Sequence, residues 1–467
     1  MKKTILILLI IGGITTAGSF QVGRVIEAEL PAILTRVANL GQMQIEITNY
    51  QRKLFRSEVD TTITLASISG SLEQLHLNHQ IWHGPFPFGK SSNGQWQFIP
   101  MSALVETRVD RDNPPSGLIG TAFKTFPELY NAIDLTGFDF AGNGTSNHSI
   151  PGFNKAVGSG TEELTIAWQG IHGRTVIDKS IKSIKGEIDI PAISIFSETS
   201  RLETENIKSS YRIFEDYGGL LLGDVTMDTA AINLSRSRAR TELRDIQFRN
   251  AARLHEDTVS YSIAIGFEQA TSAGQSYGPG GFEIDFTNLD ATAIRAVQKQ
   301  LQTIQSKMKK LSEEEIRTRI IAIYAKALPA LMKKTPEIKL NYLNMSGPGG
   351  EFWSKGNILL ENPTGTKIKD MNALLGTLRA NIDSQISKPL AQNLLTTLIK
   401  GQLASARAAG QLGDIDDDRF DVMATEAAEE QLSKLVADGA LVDEGGNYRA
   451  KLTYINRATT LNGQPFK

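Results

Sequence analysis

No cysteine occurs anywhere in the 467 residues of this chain. That absence removes disulfides, thiol catalysis and thiolate metal sites together, so burial and hydrogen bonding alone must hold the fold. A bias of charge is missing too, since 49 basic residues stand against 51 acidic ones for a net charge of −2. Nucleic acid, which calls for a basic face, is therefore not an expected partner. The catalytic patterns are absent as well: no G-x-S-x-G elbow, no Walker loop, no G-x-G-x-x-G behind a strand and no H-E-x-x-H. The expectation is a non-enzymatic protein without a cofactor. Aromatic residues make up only 7% while glycine occurs 41 times, a balance that suits many short strands joined by tight turns.

One apolar run is long enough to concern a membrane. Lys2 and Lys3 precede residues 4–20, which carry no charge and are dominated by Ile, Leu, Gly and Thr. A basic start before such a run reads as an export signal or a membrane anchor, with the lysines kept cytoplasmic. Thr15, Thr16 and Ala17 before Gly18 offer small residues to a signal peptidase. Against cleavage, Val22, Ile26, Leu30, Ile33, Val37 and Leu40 continue at helical spacing, as one helix would on leaving the bilayer and docking on a domain. Pro31 is expected to kink it. The anchor is the favoured reading, with residues 1–22 as the anchor and everything beyond Phe20 outside the cytoplasm.

Alternation organises the next stretch. Val59, Thr61, Ile63 and Leu65 alternate with polar neighbours, the period of a half-buried strand, and similar runs recur at 163–168, 185–195 and 259–267. Residues 137–160, rich in Gly, Ser, Asn and Thr, read as turns or a mobile loop. Residues 23–288 are accordingly expected to form a β-rich region. Helical spacing begins near Asp290, where Ile294, Val297, Leu301, Ile304, Met308 and Leu311 make a heptad seam. Ser312 and Glu315 form a capping box for a second helix. Further helices are expected at 370–387, 389–409 and 419–438, and a closing hairpin at 448–461. The fold class expected is α+β: an N-terminal transmembrane helix, then a long curved antiparallel sheet, with helices from residues 289–467 packed on it and sharing it. Gly-Pro-Gly-Gly occurs at 278–281 and again at 347–350, each before a strand. A duplicated strand-then-helix unit and coincident turn chemistry explain this equally well.

Candidate ligands are few. His76, His79 and His83 lie within eight residues, but on a strand His76 points away from the other two, which disfavours a zinc site. Asp414, Asp416 and Asp418 fit the first positions of a calcium loop. Arg419 then falls where glycine is needed and Thr425 where a bidentate glutamate is needed. An acidic helix start, with Asp417 and Asp418 at the positive end of a helix, accounts for them better. No metal site is expected.

Two groups of residues carry a resemblance. Residues 49–57, Asn-Tyr-Gln-Arg-Lys-Leu-Phe-Arg-Ser, and His83-Gly84-Pro85-Phe86-Pro87 are similar to the opening of the YdgA-like family of bacterial envelope proteins. The passage 278–290 and the ending at 432–439, Tyr448 and 461–465 resemble it too, and residues 160–276 least. The resemblance implies one inner-membrane anchor, a large periplasmic part and no catalytic residues to transfer. Read physically, His83 to Pro87 are structural: Gly84 and Pro85 set a turn, Phe86 and Phe88 insert into a core, and His83 bonds nearby backbone.

Three functions from different classes follow. An anchored binding module would hold a lipid or other apolar ligand in a groove of the sheet, if the helices leave it uncovered. A scaffold would pair the 294–311 seam with a second copy or another partner, if that seam is exposed. A hydrolase would need a polar pocket with perturbed titrating groups. Ligand binding is the reading carried forward, with the homo-oligomeric scaffold as its alternative.

Overall fold

The fold is described from a computed structural model, which covers residues 2–40, 43–66, 72–87, 99–158, 160, 163–236, 239–272, 274–305, 311–361, 375–408 and 416–466. Side chains of the first helix are described from Thr16 onward. That helix, α1 (Lys2–Leu40), is continuous through Pro31. Among the described residues no helix is long and apolar enough to cross a membrane. The side chains of residues 2–15, which make up most of the apolar run, lie outside that description.

The chain gathers into two compact units, one of Met1–Thr229 with Thr292–Ala327, the other of Ala230–Ala291 with Leu328–Lys467. In the first, strands follow one another in a meander: β1 (Gln44–Arg52), β2 (Arg56–Ala66), β3 (Leu72–His83) and β4 (Ala103–Val109). The short helix α2 (Gly117–Thr125) intervenes before β5 (Ile133–Phe138), β6 (Gly144–Val157), β7 (Leu164–Ile177), β8 (Ser183–Phe196) and β9 (Ser200–Asp216). The strand β10 (Leu220–Arg236) begins in this unit. Each strand pairs antiparallel with the next as far as β9, and β9 pairs with β10. The alternating runs expected as strands fall in β2, β7 and β8.

Residues 137–160 depart from the loop expected of them. A tight turn in which the Asn143 amide donates to Asp139 at 2.8 Å leads straight into β6, fourteen residues long. Pairing on both sides, with β5 and β7, satisfies its backbone and outweighs the poor strand propensity of Gly, Ser and Asn.

The second unit continues antiparallel through β11 (Ala239–His255), β12 (Thr258–Phe267), β15 (Gly280–Asp290), β16 (Glu337–Gly347), β17 (Gly350–Leu360), β18 (Leu378–Ser387), β20 (Asn447–Ile455) and β21 (Ala458–Leu461). The short strands β13 (Gln269–Ser272), β14 (Gln275–Tyr277), β19 (Val442–Glu444) and β22 (Gln464–Pro465) complete its edges. The closing hairpin is formed by β20 and β21, as expected. Of the helix expected at 370–387, residues 370–374 lie outside the described residues and 375–376 are helical, but 378–387 are instead β18: Leu378, Ala380, Ile382, Ser384 and Ile386 occupy every second position. Period two outranks the helix-forming residues beside it.

Among the described residues four more α-helices occur: α3 (Ala291–Gln305), α4 (Glu313–Leu331), α5 (Lys388–Ala408) and α6 (Asp417–Ala437). The capping box forms, the Ser312 amide donating to Glu315 at 2.8 Å and the Glu315 amide to Ser312 at 3.3 Å. Asp416 caps α6 by accepting from the Arg419 amide at 2.7 Å, whereas Asp414 lies outside the described residues. The Gly-Pro echo does not repeat in geometry: the peptide before Pro279 is cis, while residues 347–350 form the β16–β17 hairpin. What does recur is strand, two helices, strand, first as β15–α3–α4–β16 and again as β18–α5–α6–β20, with the short β19 before β20 in the second. In both cases the two strands lie side by side.

Candidate functional site

The His83–Pro87 turn receives the N-terminal helix. His83 ends β3 with 1% of its surface exposed, and its Nε2 meets the Ser57 hydroxyl at 2.9 Å. Ser57 is fully buried and also meets the Tyr50 hydroxyl at 3.1 Å. The His83 amide donates to the Phe55 carbonyl at 2.9 Å, and the Gly84 amide to the Ser102 carbonyl at 2.7 Å. The peptide before Pro85 is cis. From α1, the buried Ser19 hydroxyl donates to the Gly84 carbonyl at 2.8 Å. A Cβ on Gly23 would stand 2.5 Å from His83 Cε1, so only glycine lets the helix lie on the imidazole. Gly84 has no such room either, because a Cβ there would strike the Met101 carbonyl.

Above this contact Ile26 and Leu30 pack on Val59, Ile81 and Ala103 with Ile47, Tyr50, Val105 and Phe138. Farther along α1 the Arg36 guanidinium donates to the Ser180 carbonyl in the β7–β8 turn at 3.4 Å. The helical spacing from Val22 to Leu30 and the structural reading of His83, Gly84 and Pro85 thus describe one dock. Phe86 departs from that reading. Its ring is 38% exposed rather than inserted in a core, while Pro87 is buried and Phe88 lies outside the described residues. Ser19 and Gly23 were not singled out, although small residues four apart on an apolar helix mark a face for close approach.

His76, His79 and His172 bond hydroxyls on neighbouring strands. His79 sits between Thr61 and Thr107 at 2.8 Å each, and burial pushes its pKa down to about 4. His76 points to the other face and meets Thr62 at 3.0 Å. Burial likewise lowers His83, and the Leu54 carbonyl only partly offsets it. Asp134 gathers Thr136, Ser146 and His148. Burial would raise its carboxyl, but bonds from these three outweigh that and hold it low. Ser146 and Asp134 both approach the same ring atom, Nδ1 of His148, so no relay from serine through imidazole to carboxylate exists here.

One sheet face is distinctive. In the register of β6 to β9, Gly144, Ile177, Ile184 and Ile213 form one cross-strand row, and Ile150 faces Ile171 as Ile190 faces Ile207. Between these runs a hydroxyl row in which Thr175 meets Tyr211 at 2.7 Å. Every one of these isoleucines is half-buried, and among the described residues no helix packs broadly on β7, β8 or β9. The opposite face carries exposed Arg174, Lys185, Glu187, Asp189, Lys208 and Arg212. A shallow cavity of about 510 Å³ lies on that charged side.

The helical seam is spent inside the chain. Val297 and Ile304 are buried against Ile316 and Ile323, with Leu301 and Leu311 packed beside them. Ile294 is half-buried and Met308 lies outside the described residues. The exposed seam that a scaffold requires is therefore not available from these positions.

No curated protein and no solved structure matches this chain. The family described as "Bacterial protein of unknown function (DUF945)" matches residues 1–467, the whole length, and the chain belongs to that family.

Proposed function

We propose that this chain is a non-enzymatic, membrane-tethered protein of the bacterial envelope that binds an acyl chain or similar apolar ligand on the isoleucine face of β6 to β9. The tether is α1, entering the inner membrane through residues 4–20 and leaving the bulk in the periplasm. Its apolar run behind two lysines and the resemblance to anchored YdgA-like proteins support that placement. The observation that carries the binding role is the contrast between the two faces of one sheet. Charges on one side are exposed, while isoleucines on the other are half-buried, with no helix among the described residues packed broadly on β7, β8 or β9. Two rows six residues apart on β8, at Ile184 and Ile190, span about 20 Å, a length suited to an extended acyl chain. The hydroxyl row between them offers polar partners for a ligand's ester or headgroup.

The test is native mass spectrometry of the full chain in detergent after exhaustive delipidation, beside an Ile184→Asn, Ile213→Asn double variant. One tightly held lipid per chain, lost in a variant that keeps its circular dichroism, is the expected result. A chain that holds no lipid, or a variant that keeps it undiminished, would overturn the reading.

A further inference from the structure

Around the dock of α1 lies a group of apolar side chains that the fold leaves in the open. Phe20 is 46% exposed, Leu54 47%, Phe55 45% and Phe86 38%. They come from three separate segments, yet the dock brings them together. Phe20 follows Ser19, whose hydroxyl holds the Gly84 carbonyl. Leu54 and Phe55 present their carbonyls to His83, and Phe86 stands two residues beyond Gly84. Arg52 lies 5.3 Å from the centre of the Phe20 ring, and Lys53 and Arg56 flank Glu58 beside the same turn. An exposed apolar group rimmed by cations marks a contact surface.

The direction of α1 identifies the occupant. Helical backbone continues from Gly18 back to Lys2, about 24 Å beyond the contact with Pro85, and the residues on that stretch are the uncharged run. The four side chains therefore lie at the dock, where the helix leaves the sheet. We propose that Phe20, Leu54, Phe55 and Phe86 form a collar that inserts into the lipid surface of the bilayer the helix enters, with Arg52, Lys53 and Arg56 at the depth of the headgroups. The inference rests on the anchored reading above. Aromatic and apolar side chains with basic neighbours are the composition that settles at that boundary. Since the dock already fixes α1 against the sheet, the collar would fix the angle at which the docked unit meets the bilayer, which a helix alone leaves free.

The absence of cysteine makes the test clean. Nitroxide labels are placed one at a time in the full chain at Leu8→Cys, Phe55→Cys, Phe86→Cys and Lys179→Cys, in vesicles of phosphatidylethanolamine and phosphatidylglycerol. Lys179 is the aqueous reference, since its turn is reached by Arg36, about 25 Å along α1 from Ser19. Collision rates with oxygen, which partitions into lipid, and with a nickel chelate, which stays in water, report depth. Labels at 55 and 86 that favour oxygen, as at 8, while 179 favours the chelate, support the collar. Labels at 55 and 86 that match 179 while 8 remains in lipid overturn the collar and leave the anchor standing. Shielding of 55 and 86 from both reagents overturns it in favour of a protein cover. A label at 8 that favours the chelate removes the anchor and the collar together.

Discussion

His79 is the residue whose chemistry reaches farthest, because its imidazole is held neutral by burial between two threonine hydroxyls. Its pKa falls from an ordinary 6.5 to about 4 on folding, so the unfolded chain takes up the proton first. Stability is therefore fully present above pH 6.5 and lost as pH falls from there toward 4, by up to about 3 kcal/mol from this group. His83 acts in the same direction. Thermal melts across that range should show the slope, and His79→Gln should flatten most of it whatever its effect on stability at neutral pH. Gly23 is the second sensitive point. Gly23→Ala forces a methyl group onto the His83 ring and should cost about 1–3 kcal/mol, as overpacking does. Hydrogen exchange should then quicken along residues 18–30, and the effect should shrink when His83→Ala opens the space. Exchange unchanged across that stretch would remove the close approach as the reason for glycine.

Among the elements, the α3–α4 hairpin shows how a surface pattern becomes an interior. Its heptad spacing is compatible with a second copy or with its own neighbour, and the neighbour was near at hand. The capping box starts α4, and Ile316 and Ile323 meet Val297 and Ile304. Ile304→Ala should cost about 2–5 kcal/mol in denaturant melts and leave the native mass unchanged. A shift in oligomeric state with no loss of stability would restore the scaffold reading. Spacing was legible for α3, α4, α5 and α6, because apolar stripes and caps are local. It was misread at β18, where a run of good helix formers hides alternation, and at β6, where pairing on both sides overrides composition.

At the scale of the molecule, neither compact unit is a single stretch of chain. The first unit needs residues 292–327, whose Gln298 amide bonds the Leu221 backbone at 3.0 and 3.1 Å beside buried Leu220 and Leu222. A chain ended at residue 290 should thus leave two leucines uncovered, each worth about 1.5–3 kcal/mol, and lose its cooperative thermal transition. A truncated chain that melts as sharply as the same strands in the full protein would show the hairpin to be dispensable.

By itself the sequence determined what depends on neighbours along the chain: the apolar N-terminal run, the alternation of β2, β7, β8 and β12, the capping box, and the turn chemistry of Gly84 and Pro85. It also held the family resemblance, carried by the stretches 49–57 and 83–87. Only the tertiary structure decided which segments meet. Ser19, Gly23, Ser57 and His83 are distant in sequence and become one dock because α1 lies on the end of β3. The exposure of Phe86 and the isoleucine rows of β6 to β9 depend on register and on what covers each face. No local pattern records either, since a residue's partners across a sheet are fixed by pairing geometry rather than by its own propensity.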